Sequence, residues 1–243
     1  MMQFTFDIPM EHPVKTIGLI GGMSWESTVS YYQAINRGVN QKLGGLHSAK
    51  LCLYSVDFEE IQLLQHQDKW ADTAEILSNA AQSTVAGGAD AILICTNTMH
   101  KVADEVASSV DVPLLHIADA TGAAIAKAGY STIGLLGTRF TMEQDFYKQR
   151  LQDKYGLEVL TPSHDDRTKV HDIIYNKLCQ GIVDPSDRQT YLAIMDKMSK
   201  QGAQGIILGC TEIALLVKPE HTALPLFDTA AIHAQAAVDF ALS

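Results

Sequence analysis

The chain of 243 residues carries a formal net charge of −10 at pH 7, and 47% of its residues are hydrophobic. That length holds one large domain or two small ones, with apolar residues enough for a well-filled core. The acidic balance offers no basic footprint for nucleic acid and no polybasic patch for a membrane surface, and no apolar run reaches bilayer-spanning length.

Residues 1–13 read as a weakly held extension closed by Pro13. No charged-then-apolar leader with a small-residue cleavage site is visible, and the four cysteines (52, 95, 179 and 210) form no CxxC pair. Both features point to free thiols in a reducing cytoplasm. Residues 14–20 are an apolar strand running into Gly21-Gly22, then a helix capped by Ser24 with Tyr31, Ile35 and Val39 at helical spacing. The turn lacks GxGxxG, and no GKS or GKT follows. Its glycines serve a tight turn, or let amide groups approach an anion, rather than hold a dinucleotide.

Residues 50–56 are a second strand, 58–67 a loop or weak helix, and 72–86 a helix stopped by Gly87-Gly88. Residues 91–95 are a strand, 97–110 a helix and 112–117 a further strand. In the second half, 132–136 is a strand, a capping box at 141–144 opens a helix, and 157–160 is a strand. A charged stretch at 164–169 leads into a helix ended by Gly181. A helix at 191–201, a strand at 206–209 and an alanine-rich helix at 229–242 complete the chain. Near-continuous apolar strands alternating with helices predict an α/β fold of mostly parallel sheets covered on both faces.

The chain repeats itself. Residues 88–97, GADAILICTN, lie on 202–211, GAQGIILGCT, without a gap; TIGLIGGM from Thr16 answers TIGLLGTR from Thr132, and PLLHIADATG from Pro113 answers PLFDTAAIHA from Pro225. Three matched segments in one order predict two similar half-domains. A pseudo-two-fold between them would bring equivalent strand ends together, with a small molecule between positions 96 and 210. Cys210 follows the strand end at Gly209. With Thr211 as a helix cap, the positive end of the helix dipole would favour its thiolate, making Cys210 the candidate reactive atom. The alternative is a buried, inert cysteine.

IGLIGGMSWEST near the start, CTNTMH at 95–100, GTRFTMEQDFY from Gly137 and GCTEI at 209–213 together resemble the cofactor-independent aspartate/glutamate racemase superfamily. Glutamate racemases of cell-wall synthesis carry a histidine after the second Cys-Thr. Here that residue is Glu212, which is similar to the aspartate racemase branch. The resemblance implies two half-domains, 14–119 with a returning C-terminal segment 228–243, and 120–227. It also implies a homodimer, a small amino-acid substrate, and α-proton exchange with no pyridoxal phosphate or other cofactor.

The family sets one cysteine on each face of the α-carbon, because inversion removes a proton from one face and delivers one to the other. With no cofactor as electron sink, fixed N–H donors and low dielectric must stabilise the carbanion. This chain departs from the pattern: Thr96 stands where the first cysteine is expected. Cys95 is adjacent, but successive strand residues point to opposite faces. The expectation is an asymmetric site, with Cys210 on one face and Thr96, relaying through water, on the other.

By resemblance, Asn97, Thr98 and Thr211 hold the α-carboxylate, and Thr138 plays a similar part. Lys169 is expected to meet a side-chain carboxylate, with Gln65 and Met23 as neighbours; Arg139 is an alternative. His100, His116 and His233 invite a Cys-His hydrolase reading, but His100 reads better as a cap or core hydrogen-bonder. No HxxxH or HExxH pair indicates a metal site. Two other functions stay open: a single-cysteine decarboxylase or isomerase of dicarboxylates, and a catalytically weak amino-acid-binding protein.

Overall fold

Two glycine-ended strands of one pattern, TIGLIG and TIGLLG, form the centre of two parallel sheets in the computed structural model, which describes residues 14–243. The expected extension at 1–13 lies outside the described residues. In the first half, β1 (Thr16–Gly21) leads to α1 (Trp25–Leu43), β2 (Lys50–Ser55), α2 (Phe58–His66), α3 (Trp70–Ala86) and β3 (Ala91–Ile94). A 3-10 turn at Thr98–Val102, α4 (Ala103–Ser108) and α5 (Ile117–Lys127) follow. The second half runs β4 (Thr132–Gly137), α6 (Arg139–Glu143), α7 (Asp145–Tyr155), β5 (Glu158–Leu160), α8 (His164–Asn176), α9 (Pro185–Lys200), β6 (Ile206–Gly209), α10 (Ile213–Leu216), β7 (Leu226–Asp228) and α11 (Thr229–Ala241).

The sheets have the orders β2-β1-β3 and β5-β4-β6-β7, parallel throughout. A single parallel bridge, Ile92 to Leu114, occupies in the first sheet the place of β7 in the second. Strand order therefore repeats as the sequence does. β1, β3, β4 and β6 are almost wholly buried, which explains their near-continuous apolar runs.

Several boundaries differ from those expected. The strand expected at 112–117 is only that bridge. The Pro113 carbonyl accepts from Ile92 N–H and Leu115 N–H donates back, both at 2.9 Å. Pro113 has no N–H of its own, and His116 already caps α5 by accepting from Ala118 N–H. Residues 58–66 are a helix, because Asp57 caps it through Glu59 N–H and Ile61 and Gln65 bury one face. The helix expected at 97–110 opens as a 3-10 turn. The helix expected from Thr141 begins at Arg139, since Thr138 caps it through Thr141 N–H, and it breaks at the extended Gln144. Helix α9 starts at Pro185, behind its Asp184 cap, well before residue 191.

Helix α11 packs its alanines against the first half. Ala230, Ala234, Ala237 and Val238 join Leu19, Tyr31, Ile35 and Val39 in one core. The approach to α1 is close: a methyl group at Gly38 would lie 2.7 Å from Val238 Cγ2.

Gly22 has φ +93°, and a Cβ there would sit 2.2 Å from the Val56 carbonyl oxygen, a backbone atom. Its N–H donates to Thr28 Oγ1 at 2.8 Å. The turn places Met23 on the cavity described next and Ser24 against Glu212. Gly22→Ala is expected to cost about 3 kcal/mol, from the left-handed backbone plus the clash, read as a lowered urea midpoint at unchanged slope.

Candidate active site

The equivalent strands β3 and β6 both end at one cavity. Thr96, Asn97 and Thr98 reach it from the first half, Gly209, Cys210 and Glu212 from the second. The halves are joined over it by hydroxyls: Thr98 Oγ1 lies 3.0 Å from Thr138 Oγ1, which lies 3.2 Å from Thr141 Oγ1.

Cys210 is 9% exposed, and its Sγ donates to Glu212 Oε2 at 3.0 Å. The same oxygen accepts from Thr211 Oγ1 at 2.7 Å, and Ser24 Oγ donates to Glu212 Oε1 at 2.6 Å from the other half. Thus Glu212, itself 3% exposed, is a carboxylate held by three S–H or O–H donors. Burial first, and then the Glu212 charge, push the Cys210 thiol well above its ordinary range. This corrects the expectation of a dipole-stabilised thiolate. Thr211 is not a helix cap, for α10 starts only at Ile213 and spans four residues, too short for a strong terminal field. The resting sulfur is a neutral thiol with its proton on a hydrogen bond to a carboxylate.

Thr96, half-buried, faces the cavity, and its carbonyl accepts from His100 Nδ1 at 2.8 Å. His100 Nε2 in turn accepts from Ile117 N–H at 3.2 Å, which fixes a neutral ring with its proton on Nδ1. Cys95 lies on the opposite face, fully buried in the core with Tyr31 and Leu93, and burial raises its thiol too.

Asn97 is 2% exposed, and its Oδ1 has no partner. The amide orientation is fixed by its neighbour. Thr229 Oγ1 donates its one proton to the Leu208 carbonyl at 2.9 Å, so it can only accept from Asn97, whose Nδ2 lies 3.0 Å away. That leaves an unmatched acceptor on a residue of the cavity wall. Such an atom is costly unless a ligand supplies a donor, and an ammonium group is one.

Of the residues singled out from the sequence, Met23, Gln65, Thr96, Asn97, Thr98, Thr138 and Cys210 come together on this cavity. Two do not. Thr211 lines a separate surface cleft with Tyr31 and Asp228, although its hydroxyl reaches Glu212. The Lys169 side chain is 56% exposed and pairs with Asp166 at 3.2 Å. Arg139 is exposed at the start of α6. Sequence reasoning missed Glu212 as a partner of the thiol, and Phe58, Ile174, Tyr175 and Cys179 as wall residues. The spacing of Phe58 and Gln65, seven residues apart on one helix, is a signal for the first. Nothing local distinguishes Cys179, which the turn at Leu178–Gln180 presents.

The chain matches the Asp/Glu/hydantoin racemase family over residues 20–237. A Yersinia pestis protein provisionally described as an Asp/Glu racemase superposes with a TM-score of 0.88 at 56% identity, over 94% of this chain and 100% of that one. An aspartate racemase homologue from Pyrococcus horikoshii OT3 gives 0.82 at 34% identity, over 94% and 100%. In sequence, the broad specificity amino-acid racemase RacX of Bacillus subtilis (strain 168) is 24% identical over 235 residues, 91% of this chain and 96% of its own length.

Proposed function

Because the chain belongs to the Asp/Glu/hydantoin racemase family, we propose that it interconverts the enantiomers of an amino acid without pyridoxal phosphate, taking the α-proton from one face and returning one to the other. The observation that carries this reading is that the residues after two equivalent strand ends, Thr96 and Cys210, line one cavity from opposite halves. The relatives' names put aspartate, and in one case a broad range of amino acids, among the substrates to try. The resemblance extends the proposal to a cytoplasmic homodimer.

On the sulfur face, Cys210 passes its proton to Glu212, and the thiolate then takes the α-proton; in the reverse sense the thiol protonates the carbanion. On the other face the Thr96 hydroxyl, a much weaker acid, exchanges its proton through water. The Asn97 acceptor favours a substrate with an ammonium group, and so an amino acid over an amine-free dicarboxylate. Amide N–H groups at the two strand ends and the buried walls stabilise the carbanion.

The two faces differ in acidity, so α-proton exchange is kinetically asymmetric although the equilibrium between enantiomers is fixed by symmetry. In heavy water, deuterium is expected to enter the α-position much faster from one enantiomer than from the other. Equal rates from both would overturn the Thr/Cys assignment. Thr96→Cys, which puts a thiol on both faces, is expected to raise two-way racemisation by about 10-fold or more.

Glu212→Gln removes the charge that helps hold the Cys210 proton. The pH at which iodoacetamide alkylates Cys210, followed by peptide mapping, is expected to fall, while turnover falls because the proton acceptor is lost. A purely structural Glu212 would leave the alkylation profile in place.

A further inference from the structure

The far wall of the same cavity is built from uncharged groups. Phe58 and Gln65 of α2, Met99 of the turn after β3, and Ile174 and Tyr175 of α8 form it. The one charged side chain on the lining is Glu212, and among the described residues no lysine or arginine reaches it.

Arg139 follows the lining residue Thr138 but is exposed and not on the lining, and the other lysines and arginines nearest the site are engaged elsewhere. Asp166 takes both Lys169, at 3.2 Å, and Lys197, at 2.7 Å. Arg167 holds Glu143 at 2.9 Å and the Pro162 carbonyl at 2.9 Å. Lys101 lies over the Trp70 ring, 3.8 Å from its centroid.

A bound amino acid brings one ammonium and one carboxylate at its α-carbon, so with Glu212 the site already carries net negative charge. An acidic side chain would add a second unpaired carboxylate, opposed both by desolvation and by repulsion from Glu212. An amide or hydroxyl tip needs only hydrogen bonds, and the wall can supply them. Gln65 is 3% exposed; its Nε2 donates to the Met99 sulfur at 2.9 Å, a weak acceptor, and its Oε1 receives the Tyr175 hydroxyl at 3.5 Å, a long bond. Both bonds are readily exchanged for better ones to a ligand.

Building on the racemase reading above, we propose that the preferred substrate is an amino acid with a short, uncharged side chain ending in a hydrogen-bonding group, and that Gln65 selects it. The test is α-deuterium exchange by the wild-type protein on two isosteric pairs, glutamine against glutamate and asparagine against aspartate, as both enantiomers. At least tenfold higher kcat/KM is expected for the amide in each pair, and Gln65→Arg is expected to reverse the order for glutamine and glutamate. Equal rates within the pairs, or a preference for the acid, would overturn the selection and leave the racemase reading standing. No exchange with any of the four would overturn that reading, and this inference with it.

Discussion

Cys210→Ala is expected to lower kcat/KM for α-proton exchange by about 10³-fold or more, in a protein that still folds. The sulfur is the acid–base atom at the strand end opposite Thr96; Cys179 lines the same cavity, but from the turn after α8 and not from a strand end. Cys95 is walled off in the first-half core. Glu212 acts through the thiol, and its oxygens remain occupied by Ser24 and Thr211 in the variant. The structural loss is one atom from a buried position, about 1 kcal/mol, too little to unfold the chain. Cys210→Ser is the sharper control. It keeps a donor to Glu212 and nearly the same shape, yet leaves a hydroxyl on both faces, so its rate should also collapse. If Cys210→Ala left exchange unchanged while an amino acid still bound, the chain would be a binding protein and the catalytic reading would fall.

The parallel α/β architecture and its duplication are legible in the sequence because buried strands must be continuously apolar, and because both copies keep the same glycine and threonine punctuation. Leu114 shows where pattern fails. The PLLHI segment is apolar enough for a strand, but Pro113 and the His116 cap leave room for one bridge. The strand ends of the site were legible for the same reason as the fold: Thr96 and Cys210 follow repeated motifs. The wall opposite them was not, since Phe58, Ile174 and Tyr175 arrive from helices whose facing depends on how the halves dock. The charge on Cys210 was misjudged from sequence because a helix start and a neighbouring carboxylate pull the thiol in opposite directions. Only coordinates show that the helix is four residues long and that Glu212 turns back onto the sulfur. Lys169 misled similarly, as its partner Asp166 is one turn back on the same helix face.

Acidification from pH 7 to pH 5 is expected to remove about 5 kcal/mol of stability, through three histidines buried behind Thr96. His100 lies edge-on to both other rings, 4.4 Å from His116 and 5.8 Å from His233, ring centre to ring centre. In each ring a nitrogen already accepts: His100 from Ile117 N–H, His116 from Ala118 N–H, and His233 from the Tyr31 hydroxyl at 2.9 Å. Protonation would set N–H against N–H or O–H in a dry core, next to two other rings. Burial, the largest cause for all three, therefore pushes His100 well below its ordinary range, His116 down to about 2 and His233 to about 4. The unfolded chain takes these protons near pH 6.5 and the folded chain does not, so stability is full above pH 6.5 and declines as pH falls toward 4. Each ring contributes a slope of up to about 1.4 kcal/mol per pH unit. The depressed carboxyls of Asp119, Asp166 and Asp239 lose their contribution only at lower pH, outside this window. Urea unfolding at pH 7, 6 and 5 measures the slope, and His116→Asn isolates one proton of it. Asparagine is a good helix cap and can still accept from Ala118 N–H. This variant should match the parent near pH 7 and unfold less readily at pH 5, by about 2 kcal/mol. An unchanged slope in His116→Asn would mean that the cluster does not govern the acid limit.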